Sequence, residues 1–134
     1  MPEIVAFVKH GATMVTPRLV EKILPLLPKW KMEFTQIKAP KYPHLVEQLQ
    51  FLANVVEDYA EGVCKDIPYV TLSEAVFALT YSHQPNNIIP DFVHQFGRAD
   101  DSSVVRSVLI MNEKAFRSYA KDQGIDWNKI TDKP

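Results

Sequence analysis

The chain has 134 residues, 46% of them hydrophobic and 23% charged. That is close to the composition of a globular domain and argues against disorder. Lys and Arg number 15 against 16 Asp and Glu, a net charge of −1, which argues against a surface built mainly to grip nucleic acid or anionic lipid. Four glycines are few for an all-β chain rich in tight turns, and ten prolines are many.

The first eight residues carry Ile4, Val5, Phe7 and Val8. This apolar run is shorter than a secretory leader and has no basic flank before it. Thr16-Pro17 reads as a helix cap followed by a first-turn proline. Leu19, Val20, Ile23, Leu24, Leu27, Trp30 and Phe34 follow at helical spacing, with Pro25 and Pro28 interrupting. Proline inside a helix costs about 3 kcal/mol, so residues 17–37 are expected to kink or to divide into two short helices. Pro40 and Pro43 set a loop.

A long helix is expected over about 43–65. Leu45, Leu49, Leu52, Val56, Tyr59 and Val63 step by four and three, and Val46, Ala53, Ala60 and Cys64 widen the stripe. Glu47, Gln50, Asn54, Glu57 and Glu61 form the opposite, wet face, the clearest amphipathic pattern in the chain. Gly62 weakens the last turn. Cys64, the sole cysteine, permits no internal disulfide and reads as a small buried hydrophobe, which fits a reducing compartment.

Asp66-Ile67-Pro68 ends that helix. Thr71 and Glu74 have the spacing of a capping box, opening a short helix over about 72–81. Ala75, Val76, Ala78 and Leu79 make it apolar nearly all round, as suits the centre of a bundle. Ser82 to Asn87 read as a turn. The last strong helix is expected over about 101–122, with Asp100, Asp101, Ser102 and Ser103 at its start, Val105, Val108, Leu109, Phe116, Tyr119 and Ala120 inward, and Gly124 just past its end. The tail carries Ile125, Trp127 and Ile130, which dock on the bundle. Together these elements predict an all-α fold: one compact helical domain over 1–134, a bundle of four or five helices.

The stretch from Tyr81 to Val105, YSHQPNNIIPDFVHQFGRADDSSVV, is the most distinctive. In Tyr81, Pro85, Ile88, Ile89, Pro90, Asp91, Phe92, Gly97, Asp100 and Asp101 it resembles the YkvA-like family, with the family-like region spanning about 71–122. Two positions depart from the family pattern: Asn87 stands where an aspartate is usual, and His94 where a proline precedes the glycine. The resemblance implies packed helices and no established reaction.

Three readings of this stretch follow from its chemistry. In the first it is a structural staple. Pro85 and Pro90 stiffen a connector, Ile88, Ile89 and Phe92 plug it down, Gly97 supplies positive φ or a close backbone approach, and Asp91, Asp100 and Asp101 cap backbone N–H groups. In the second, Asp91, Asp100 and Asp101, with His94, Asn87 and His83, are donors for a divalent cation and a metal-dependent hydrolase follows. Asn87 in place of a carboxylate weakens that donor set, and HExxH, CxxC and EF-hand spacings are absent. In the third the connector and Trp127 form a partner surface, or the broad stripe of residues 43–65 self-associates into a homo-oligomer.

Elsewhere His10 and His44 read as surface or cap residues. Lys29, Lys31, Lys38 and Lys41 read as a solvated basic patch, and Met14, Met32 and Met111 as fillers of apolar gaps. No GxSxG elbow occurs, and no catalytic residue and no cofactor is assigned. No stretch has the roughly 20 apolar residues of a transmembrane segment. The expectation is therefore a soluble, cytoplasmic, non-catalytic protein-interaction or adaptor domain that binds no nucleic acid, with divalent-metal binding as the alternative.

Overall fold

In the computed structural model, the backbone of residues 2–37, 44–63, 66–83 and 94–131 is described, with side chains over 4–37, 44–63, 66–83 and 102–130. The regular structure among the described residues is all helical, without a strand: α1 (Pro2–Thr13), α2 (Pro17–Ile23), a 3-10 turn (Leu24–Leu26), α3 (Leu27–Phe34), α4 (Leu45–Ala60), α5 (Tyr69–His83), α6 (His94–Met111), α7 (Glu113–Asp122) and α8 (Trp127–Thr131). No helix among them is long and apolar enough to cross a membrane.

The all-α expectation holds, but there are more helical segments than the four or five expected. The first addition is α1. Ile4, Val8, Ala12 and Val15 step by four, four and three, and Val8, Ala12 and Val15 are buried. That period was legible in the sequence. Gly11 lets α1 approach α5: a Cβ there would overlap the ring of Phe77.

Helix starts and stops explain the other differences. Thr16 caps α2, its Oγ1 accepting from the Leu19 N–H at 3.1 Å, with Pro17 in the first turn. Pro25 and Pro28 each fall in a first turn, of the 3-10 segment and of α3, where no intrahelical N–H is lost. The chain thus divides between Ile23 and Leu27 instead of straining one helix. Gly62 does not merely loosen α4. It ends the helix, with φ 82°, the Val63 N–H bonding Asp58 O at 2.9 Å and the Gly62 N–H bonding Tyr59 O at 3.1 Å, the paired bonds of a Schellman stop. Gly124 does the same for α7: its φ is 72°, and the Ile125 N–H bonds Ala120 O at 2.8 Å.

The capping box is not formed. α5 begins at Tyr69, so Thr71 and Glu74 lie inside it, and it runs through Ser82 and His83, which were expected in a turn. The single helix expected over 101–122 is two helices. Asn112, at φ −116° and ψ 27°, separates α6 from α7, and α6 starts at His94.

α5 occupies the centre, packed against α1, α4 and α6, while α3 lies on α4 and α8 on α4 and α7. One apolar core runs from Val8 to Ile130. The α4 stripe is spent inside it: Leu45, Leu49, Leu52 and Val56 are fully buried, so that face is not free for self-association. Trp127 is 8% exposed, lying 5.8 Å from the ring of Phe51 and 6.3 Å from Phe116. It is a core residue and not an external anchor. Gln48 reaches the same corner and donates to Ile130 O at 2.8 Å. Met14 and Met32, expected to fill gaps, are 70% and 72% exposed. Lys31 is not part of a solvated patch, since it bridges α3 to Glu57 of α4 at 2.6 Å and to Asn54 at 3.2 Å. Cys64, Lys38 and Lys41 lie outside the described residues.

Candidate functional site

The break at Asn112 and the stop at Gly62 create a cleft. Val63 past the end of α4, residues 66–68 ahead of α5, and the first turns of α7 border it. The space between has a volume of about 500 Å³. Its floor is apolar: Ile67 and Tyr119 are buried, and Met111 and Ala115 half-buried. Asp66, Lys114 and Asp122 stand exposed around it, with Val63 also exposed. A concave apolar floor with a few polar groups at the edge is the usual form of a binding site.

The wall of the cleft is a polar network that crosses the bundle. Thr71 Oγ1 donates to Asn112 Oδ1 at 2.8 Å. Asn112 Nδ2 donates to Glu74 Oε1 at 2.6 Å and to Val108 O at 2.9 Å. Asn112 is thereby held in the conformation that ends α6, and Thr71 and Glu74, buried on the α5 face, each gain a partner. Behind it, Tyr119 Oη donates to Asp58 Oδ2 at 2.5 Å and fixes α7 on α4. The sequence offered a signal for this network: a Thr and a Glu one turn apart in a helix otherwise apolar all round require a polar partner from another element.

A second cluster sits at the far end of α5. The imidazole of His83 stacks on the indole of Trp30, with centroids 4.1 Å apart and planes 14° apart. Its Nε2 lies 2.7 Å from Glu33 Oε2. His83 was expected among cation donors, and here it meets a carboxylate and an aromatic face. His44 lies 3.6 Å from Glu47.

The residues singled out at 85–101 divide into two groups. Pro85, Asn87, Pro90 and Asp91 lie outside the described residues. His94, Gly97, Asp100 and Asp101 fall within α6. Gly97 is therefore helical; the described glycines with positive φ are Gly62 and Gly124. Asp100 and Asp101 lie past the first turn of α6, whereas the free N–H groups of a helix start belong to the first turn. His94 and Asp101 are about 10.5 Å apart along the helix axis at the standard rise. Among the described residues no three His, Cys, Asp or Glu side chains gather as a metal site requires. In comparisons with known proteins, no family model, no curated protein and no solved structure matches the chain.

Proposed function

We propose that the chain is a non-catalytic protein-interaction module and that the cleft between Val63, residues 66–68 and the α6–α7 corner receives its partner. The carrying observation is the wall itself. Thr71 and Asn112, the polar side chains deepest in the cleft, spend their hydrogen bonds on each other and on Glu74, which holds the cleft open over an apolar floor. Such a surface offers shape and apolar area rather than reactive groups. Asp66 and Asp122 against Lys114 at the edge favour a partner segment with a basic residue beside an apolar one. The motif at residues 81–105 supports kinship with the YkvA-like family as part of the same reading, and the single cysteine fits a cytoplasmic setting.

A photo-crosslinking side chain placed at Val63, and as control at Arg18 on α2, tests this in the full chain expressed in its own cells. A discrete crosslinked species from position 63, absent from position 18 and lost when Ala115→Arg fills the floor, is the expected result. No species at 63, or the same species from both positions, overturns the reading. Circular dichroism of Ala115→Arg separates a blocked cleft from a lost fold.

A further inference from the structure

A different cleft, on the other side of the first turns of α5, carries a chemical signature of its own. It lies between α1 and α5, has a volume of about 410 Å³, and is lined by Thr13, Val15, Val70, Ser73 and Glu74 with Lys9 and Tyr69. Glu74 is 3% exposed, and among the described residues its one bond is from the neutral Asn112 amide to Oε1. No described cation pairs with it. A carboxylate this little exposed, with one neutral partner and its edge on a cleft, gains from a cation brought to it.

The hydroxyls beside Glu74 point to what would complete it. Ser73 Oγ donates its hydrogen to Val70 O at 2.9 Å, and Thr13 Oγ1 donates its hydrogen to His10 O at 2.6 Å. Each hydroxyl has one hydrogen, so both oxygens turn only lone pairs toward a ligand. Glu74, Ser73 and Thr13 all line the cleft, so it offers a carboxylate and two accepting hydroxyls. We propose that this cleft binds a primary ammonium group on a short alkyl chain. The –NH3+ head brings three donors and the charge that Glu74 lacks, and Val15 and Val70 take the alkyl part. A quaternary ammonium has the charge without the donors, and a bare alkali ion lacks the alkyl part. The proposal is independent of the partner cleft above. Lys9, the one cation among the described residues lining the space, repels such a ligand or competes with it.

Amide chemical shifts of the full chain, followed during titration with n-butylammonium, test this. Tetramethylammonium and potassium at equal ionic strength serve as controls. The expected result is a saturable response in the millimolar range or tighter, centred on residues 12–15 and 70–74. Affinity should fall about tenfold or more in Glu74→Gln, as loss of a hydrogen bond to a charged group implies, fall several-fold in Thr13→Val, and rise in Lys9→Met. An absent or unsaturable response, or an equal response to either control ion, overturns it. Should Glu74→Gln not fold, Thr13→Val decides, and unchanged affinity there overturns it. Binding seen only in Lys9→Met means that the chain's own lysine fills the site, and overturns an external ligand. A parallel titration with Nα-acetyl-lysine N-methylamide separates two sources of the same chemistry. Tighter binding than n-butylammonium assigns a peptide lysine, and equal or weaker binding assigns a free amine; either supports the site.

Discussion

The backbone of Gly11 in α1 lies directly beneath the ring of Phe77 in α5, so close that a Cβ on Gly11 would overlap the ring. Phe77 is in turn held by Phe7 and Tyr81, with centroids at 5.5 and 6.0 Å. Inside a helix, Gly→Ala ordinarily stabilises by about 1 kcal/mol. Here the sign is expected to reverse: Gly11→Ala should destabilise by about 1–3 kcal/mol, the range for overfilling a packed contact. Phe77→Leu in the same chain should restore the ordinary sign. Urea unfolding of the two single variants and the double variant checks this. A Gly11→Ala protein as stable as the parent means that the ring swings aside freely.

Asn112 offers a second test, because helix propensity and the network oppose each other. Alanine is the better helix former by about 0.7 kcal/mol and would join α6 to α7. It would also strip Thr71 and Glu74 of their shared partner, a loss of about 1–3 kcal/mol per buried polar group left unbonded. Asn112→Ala is expected to destabilise, and a cycle with Thr71→Val should show a coupling of about 0.5–3 kcal/mol. Additive losses in equilibrium unfolding would sink the network as a unit.

Apolar residues in the tail and on the surface separate burial from composition. Trp127 sits among Phe51, Phe116 and Tyr119 in the core, so Trp127→Ala should cost about 3–5 kcal/mol. Met14→Ala and Met32→Ala, both at exposed positions, should stay within about 0.5 kcal/mol. Melting temperatures of the three variants give the comparison directly. A Trp127→Ala protein that melts with the parent would remove α8 from the core.

Periodicity made α4 legible, because a four-three apolar step leaves few alternatives once the chain must bury it, and the central α5 was legible as a short run apolar nearly all round. The Thr16-Pro17 start and the Gly124 stop were legible for a similar reason, since each needs only local chemistry. The capping box was not. Thr71 and Glu74 have the spacing, but Pro68 starts the helix earlier, and their true partner, Asn112, is far away in sequence. The cleft shares this opacity: it is made by the Gly62 stop and the Asn112 break together, and neither predicts the other. Met14 and Met32 misled, whereas Met111 does pack against the core, because an unbranched apolar side chain fits a helix face equally well inside or outside. Asp100 and Asp101 looked like caps only while α6 was taken to start beside them.

Gly124 allows backbone strain to be measured with little else changing. Its φ is 72°, and an added Cβ would meet nothing within 4 Å. Any loss in Gly124→Ala is therefore conformational, about 1–2 kcal/mol for an L-residue held in the left-handed region. Asparagine tolerates that region better, so Gly124→Asn should lose less than Gly124→Ala although its side chain is larger. Steric crowding predicts the reverse order. The Schellman bonds from Gly124 and Ile125 to Lys121 and Ala120 transmit the effect, because they set where the chain leaves α7 to bring Trp127 back onto Phe51. Chemical denaturation should place the three proteins in the order Gly, Asn, Ala from most to least stable, and near-ultraviolet circular dichroism should show the Trp127 environment loosening in the same order. If alanine equals glycine in both measurements, the positive φ at 124 is not what turns α8 onto the core.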